Sequence, residues 1–271
     1  MRVHVTFQAD KPVLLPWNYP EKLQGFVYRT IGKASPELAA RLHSEGFVVG
    51  SHRYKLITFS WLYPRSATMK GNGLLMEPPI HWWMSSPLAT VIEAFLYGLL
   101  TSFEVSLGNQ KLVVDVVHVE PNLLSDEKML LETLSPIVAS TGVLEGGKLR
   151  KVFLSPESQE FSRVITENLQ RKAAALWGKE IPGEVEMKPV HFRSRLITIY
   201  GVKVRCYEGV FDARGNPELL RLGYEAGFGE RNFQGFGMMR LARKGEAYET
   251  QNPPDRRRRR GSETFDRNPQ A

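Results

Sequence analysis

The opening residues MRVHVTFQ alternate apolar and polar positions, and this period of two predicts a strand over 3–8 with one face buried. The period then changes. In LPWNYPEKLQGFVYRTIG, Leu23, Val27 and Ile31 stand four residues apart with Phe26 and Thr30 alongside, the stripe of an amphipathic helix. A second, short helix starts at SPELAARLHSEG. Ser35 is suited to cap its first turn, Pro36 takes the first helical position, and Gly46 ends it. YKLITFSWLYP and IHWWMSS read as strands, SPLATVIEAFLYGLL as a capped helix, and KLVVDVVHVE as a strand.

The second half repeats this order. KMLLETLSPIVAS and LRKVFLSP are extended, SPESQEFSRVITENLQRKAAALWG is a long capped helix, and EVEMKPVHFRSRLITIYGVKVRCYEGVF gives long strands with a turn near Tyr200–Gly201. GNPELLRLGYEAG is helical, and a last strand follows in GFGMMRLA. Two βαββαβ units in tandem make an α+β protein of two ferredoxin-like, RRM-like domains, each sheet carrying its helices on one face. The expected limits are 1–122 and 123–245, with the boundary near PNLLSDE. From residue 246, EAYETQNPPDRRRRRGSETFDRNPQA offers almost nothing apolar to bury, so a disordered basic tail is expected over 246–271.

Composition narrows the classes. The 271 residues are 42% hydrophobic and 24% charged, which suits a water-soluble globular protein. No apolar run is long and uncharged enough to span a bilayer, and the N-terminus lacks the pattern of a secretion signal, so a cytoplasmic location without membrane attachment is expected. One cysteine, Cys206, excludes a disulfide within the chain and any cysteine-rich zinc site, and its strand-like setting marks it as a packing residue. The net charge of +7 is a mild excess, compatible with a groove for a polyanion.

GFGERNFQGFG, residues 227–237, is the densest local signal. A dinucleotide fingerprint needs a third glycine where Asn232 stands, and would follow a strand rather than a helix. A P-loop needs Gly-Lys-Ser/Thr, which is absent. Two G-x-G pairs around a basic, polar gap instead suggest bare backbone amides approaching phosphates, with Arg231 adding charged hydrogen bonds. A plain glycine turn is the simpler alternative.

GYEAGFGERNFQGFGMM resembles the C-terminal glycine-rich signature of the CRISPR-associated endoribonucleases that process repeat RNA, the Cas-six family within the repeat-associated RNA-binding proteins. NPELLRLGYEAG before it, and LQGFVYRTIG, ELAARLHSEGF and KLITFS near the other end, extend the resemblance over about 1–243. It implies a metal-independent endoribonuclease, without cofactor, that cleaves CRISPR precursor RNA within its repeats. Repeat RNA is the implied partner, with an effector complex or a homodimer as further associations. A non-catalytic repeat-binding subunit of the same fold is the alternative.

The resemblance also assigns residues. A histidine after the short helix maps to His43 in LHSEG, a tyrosine on the preceding helix to Tyr28, and a lysine before the Thr-Phe-Ser strand to Lys55, with His52 and Arg53 as competitors for that role. Such a set fits RNA cleavage by the 2′-hydroxyl: one group takes its proton, one stabilises the charged phosphorane, and one protonates the leaving 5′-oxygen. The implied RNA contacts are Gly227, Gly229, Arg231, Asn232, Gly235 and Gly237. To these the strand pattern adds Arg193 and Arg195 in FRSR and Lys203 and Arg205 in VKVR, read as the cationic side of a sheet; a solvated sheet face is the alternative. His4, His81 and His118 lie in apolar strands and read as structural. Of Trp82 and Trp83, one must face the core.

Overall fold

The computed structural model describes residues 1–121 and 126–242. The expected tail at 246–271 lies outside the described residues. The first half runs β1 (Arg2–Gln8), β2 (Val13–Pro16), α1 (Tyr19–Ala34), α2 (Pro36–Ser44), β3 (Phe47–Val49), β4 (His52–Tyr54), β5 (Thr58–Phe59), β6 (Tyr63–Lys70), β7 (Gly73–Ser85), α3 (Ala89–Leu100), β8 (Glu104–Leu107) and β9 (Gln110–Glu120). The second runs β10 (Lys128–Thr133), β11 (Ser140–Glu145), β12 (Lys148–Phe153), α4 (Gln159–Trp177), β13 (Val185–Ile199), β14 (Val202–Gly215), α5 (Pro217–Ala226), a 3-10 turn (Asn232–Gln234) and β15 (Met239–Leu241).

This is a mixed α/β protein with several antiparallel sheets. The first-half sheet has the order β2-β7-β1-β9-β8, with β5 and β6 also paired to β7. Alternation along β1 sends Val3, Val5 and Phe7 to one face, where they pack against Leu23, Val27 and Ile31 of α1 and Phe95 and Leu99 of α3. Trp82 is fully buried on that same face. Trp83 points the other way and stacks on His4, with ring centroids 4.4 Å apart. His4 in turn meets His81 across the strands at 3.1 Å, so these histidines line the side of the sheet away from the helices. The second-half sheet has the order β13-β14-β10-β15. Its core joins Met129, Leu131, Phe211 and Ala213 to Ile165 and Leu169 of α4 and Leu219 and Leu222 of α5.

Several elements escape the hydrophobic pattern. YKLITFSWLYP is split among β4, β5 and the start of β6 rather than forming one strand. The long β6–β7 hairpin extends far beyond IHWWMSS, because β6 is mostly exposed and so carries little apolar signal. VVGSHRY closes into the β3–β4 hairpin.

The two halves interlock through reciprocal insertions. Phe233, from the second half, is buried in the first-half core, and Leu56, from the first half, in the second-half core. Burying one such side chain is worth about 2 kcal/mol. Polar contacts add direction: Trp61 Nε1 donates to the Gly235 carbonyl at 3.0 Å, and Tyr63 donates to the Leu134 carbonyl at 3.0 Å. Arg2, 3% exposed, donates to the carbonyls of Tyr224 and Met239 and lies over the Tyr224 ring.

Candidate functional site

Helix α2 is short and begins as its sequence dictates, with the Ser35 hydroxyl accepting from the Leu38 amide at 3.2 Å and Pro36 opening the first turn. Leu42 is buried, and the next residue, His43, is exposed in the last turn. Its ring meets that of Tyr28 on α1 edge-on, with centroids 5.1 Å apart. Lys55 reaches back over the end of the helix: its ammonium donates to the carbonyl of Leu42 and, at 2.9 Å, to that of His43. These carbonyls lack intrahelical partners, and a cation there meets the negative end of the helix. Tyr28, His43 and Lys55 therefore share one corner. Arg53 joins them indirectly, donating to the Ser44 carbonyl at 2.5 Å, while His52 stacks on Tyr54 at 6.3 Å.

The electrostatics of the corner set its chemical capacities. Burial, reinforced by Tyr200, pushes the Tyr28 hydroxyl up to about 12, so at neutral pH it is a hydrogen-bond donor and not a phenolate. Partial burial and the Arg53 charge lower the Lys55 pKa from its ordinary value. The tip of the β13–β14 hairpin arrives from the second half beside Tyr28. The Tyr200 amide donates to Glu21 at 2.7 Å and its hydroxyl to Gln24, four residues before Tyr28 on the same face of α1.

The glycine segment is built differently from the expectation of exposed amides. Gly227, Gly229, Gly235 and Gly237 are all buried. The amides of Gly235 and Gly237 donate within the chain, to Asn232 and Pro136 carbonyls at 3.1 and 2.8 Å. Gly237 has a φ of 74°, and a Cβ there would stand 2.0 Å from the Phe228 carbonyl oxygen. At Gly235 a Cβ would press on Phe59 at 2.9 Å and Pro20 at 3.2 Å, both from the first half. Here the bare backbone serves close packing between the halves.

Asn232, 9% exposed, has both side-chain polar atoms engaged. Its Nδ2 donates to the Phe228 and Phe236 carbonyls, and its Oδ1 accepts from Lys172 at 2.7 Å. Lys172 is fully buried on α4 and also donates to the carbonyls of Gly227 and Gly229 at 2.7 and 3.0 Å. One ammonium thus pins three points of the segment, while burial draws its pKa down to about 7. The residue after Asn232 is Phe233, whose ring packs edge-on against Tyr28 at 4.8 Å. Lys172 and Phe233 went unnoticed in the sequence. The trace of Lys172 is there: it continues the stripe of Phe161, Ile165, Asn168 and Leu169, where the buried face of α4 carries three polar side chains, Thr166, Asn168 and Lys172.

The basic residues of the hairpin do not form one cationic side. Register pairs Arg193 with Glu208 and Arg195 with Cys206, but Lys203 with Thr198 and Arg205 with Leu196. Residues directly opposite share a face, so the two pairs point to opposite faces of the hairpin. Arg193 and Arg195 both bind Glu208, at 2.5 and 3.1 Å. Lys203 and Arg205 are exposed. Cys206 is buried against Val138, Val204 and Phe236, as a packing residue should be.

Beside the corner, between the halves, lies a cavity of about 830 Å³. Lys55, whose ammonium reaches the His43 carbonyl, and Phe233 line it, as do Arg53 and Arg231 and the ion pairs Arg171–Glu167 and Lys151–Glu230, so cations outnumber carboxylates on its wall.

Comparison with known proteins places this geometry. The description "CRISPR-associated protein Cas6, N-terminal" matches residues 14–118, and "CRISPR associated protein Cas6, C-terminal" matches residues 119–241. CRISPR-associated endoribonuclease Cas6 1 of Methanocaldococcus jannaschii is 30% identical over 241 residues, 88% of this chain and 92% of that protein. CRISPR-associated endoribonuclease Cas6 of Pyrococcus furiosus is 33% identical, covering 86% of this chain and 85% of its own length. A solved structure described as CRISPR associated protein Cas6 superposes with a TM-score of 0.74 at 29% identity, over 90% of this chain and 99% of that one. Matched along both halves and over most of each relative, the chain belongs to the Cas6 family of CRISPR-associated proteins.

Proposed function

We propose that this protein is a metal-independent endoribonuclease that cuts CRISPR precursor RNA within its repeats. The observation that carries the reading is the convergence of His43, Tyr28 and Lys55 at one exposed corner, at the mouth of a cationic groove, in a chain whose relatives are named endoribonucleases. In the proposed reaction one proton leaves the 2′-hydroxyl and one reaches the leaving 5′-oxygen; His43 carries out one of these transfers and solvent water the other. The 2′-oxygen bonds to the adjacent phosphorus as the bond to the 5′-oxygen breaks, leaving a 2′,3′-cyclic phosphate and a 5′-hydroxyl. The neutral Tyr28 hydroxyl donates to a phosphate oxygen, and the Lys55 charge offsets the negative charge that develops there.

The fold reading that accompanies this is two ferredoxin-like units, 1–122 and 123–245. It is supported by the sheet orders, in which β9-β1-β7-β6 and β15-β10-β14-β13 follow the same path. Repeat RNA would run along the groove, with Arg231, Lys203 and Arg205 as phosphate contacts and Arg193 and Arg195 as weaker ones because Glu208 already neutralises part of their charge. The glycines and Asn232 would then support the site from beneath instead of touching RNA.

The test is incubation of the purified protein with repeat RNA from the same genome in excess EDTA. Two fragments, the upstream one ending in a cyclic phosphate, are expected. An intact, gel-shifted RNA would leave a binding subunit, and activity lost to EDTA but restored by Mg²⁺ would overturn the metal-free route.

A further inference from the structure

The groove between α4 and the β3–β4 hairpin holds polar groups that the fold does not use. Asn168 on α4 is only 6% exposed and lines the cavity, yet its side-chain Oδ1 has no hydrogen-bond partner among the described residues. Arg231 lines the same cavity, and its Nε is likewise buried without a partner, although its Nη1 donates to Gln234. A buried carbonyl-type acceptor and a buried guanidinium donor left open in one cavity are costly to folding, and each orphan of this kind calls for a cause. An aromatic side chain lines the same cavity. Tyr54, half-buried, accepts a hydrogen bond from Arg171 at 3.3 Å and lies nearly parallel to the His52 ring, at 25°. Arg53 is exposed on the same hairpin.

We propose that this groove is a nucleotide subsite for single-stranded RNA next to the scissile bond. A base lies against Tyr54 and donates an edge N–H to Asn168 Oδ1, while its phosphate takes Arg231 Nε and the charges of Arg53 and Arg171. The chemistry matches the groups available. Sequence-tolerant stacking on an aromatic ring, an acceptor for a base-edge donor and a cationic track are the parts from which single-strand RNA sites are made. The placement follows from Lys55 and Phe233: both line the cavity and both touch the His43–Tyr28 corner, so the groove and the corner are contiguous. This subsite rests on the ribonuclease reading, because it assigns the groove to the substrate that is cut.

Asn168→Leu provides an unusual test, since replacing an amide whose buried Oδ1 has no partner with an apolar side chain of similar size should leave folding close to neutral. Binding is read with repeat RNA made uncleavable by a 2′-deoxy nucleotide at the cut. Asn168→Leu is expected to raise Kd about fivefold, the equivalent of one hydrogen bond, with thermal stability retained. Tyr54→Ala is expected to raise it about tenfold through lost stacking. A 4-thiouridine placed within a few nucleotides of the cut should photo-cross-link to the peptide containing Tyr54. Unchanged Kd for both variants, or cross-links to Tyr54 only from distant positions, would overturn the subsite. Failure of the wild-type protein to cleave unmodified repeat RNA would instead remove the ribonuclease reading, a result the binding assay does not depend on.

Discussion

The His43 corner and the Gly227–Gly237 segment meet at the ring of Phe233, yet they are built on opposite terms. The corner is exposed, assembled from the last turn of α2, one face of α1 and a lysine from the following loop. His43 and Lys55 are held at the end of α2, with Tyr28 half-buried on α1 beside them. The glycines of the segment are buried, the amides of Gly235 and Gly237 and the Asn232 side chain bond inside the protein, and the Gly227 and Gly229 carbonyls accept from Lys172. Glycine density therefore marks a place where two halves approach closely, and the chemistry sits on the surface that this approach supports. Changes at the buried glycines and Asn232 should act through folding, and changes in the corner through the reaction alone.

The sharpest test of this division is Gly237→Ala, which forces a Cβ against the Phe228 carbonyl at an unfavourable φ. A loss of about 3 kcal/mol or more in urea unfolding is expected. A near-neutral result would mean that the segment is free to move. Next is Lys172→Met, which removes three hydrogen bonds from buried acceptors and should cost about 3 kcal/mol. Its pH dependence adds detail. The folded-state pKa of about 7 lies below the ordinary lysine value of 10.5, so between these the unfolded chain binds a proton that the folded chain has released. Stability contributed by the wild-type lysine should then rise with pH through this window, and the gap to Lys172→Met should widen from pH 7 to pH 10. A constant gap would mean that the three acceptors hold the ammonium against burial.

In the corner the same measurements should separate. His43→Ala is expected to slow single-turnover cleavage about 100-fold while stability changes by under about 0.5 kcal/mol and RNA affinity persists. Unchanged cleavage would take His43 out of the mechanism. Tyr28→Phe keeps the ring against Phe233 and removes only the hydroxyl, and cleavage about tenfold slower is expected. If it matches wild type, Tyr28 is only a packing surface. The smallest effect belongs to Arg231→Ala. RNA affinity should fall about threefold, and the slope of log affinity against log salt should lessen by about 0.7, the share of one phosphate on a single strand. Equal slopes would show that Arg231 meets no phosphate.

Much was legible in the residues themselves. Alternation placed β1 and required one of Trp82 and Trp83 to face the core, the spacing of Leu23, Val27 and Ile31 placed α1, and Ser35, Pro36 and Gly46 marked both ends of α2. These signals are local: capping, periodicity and backbone freedom act over a few residues, so a few residues reveal them. The motifs likewise pointed to Tyr28, His43 and Lys55, though separated by up to 27 positions in the chain.

The tertiary structure decided the rest. Only the register of β13 against β14 could show that Arg193 and Arg195 face away from Lys203 and Arg205, because the period of two orients residues within a strand but not between strands. Only packing could reveal that the glycines are buried, that Lys172 pins them from α4, and that Phe233 carries their position to Tyr28. A glycine reads the same in sequence whether its bare face meets a phosphate or a neighbouring strand. What fills that space is set by residues more than a hundred positions away, Pro20 and Phe59, brought there by the folding of both halves.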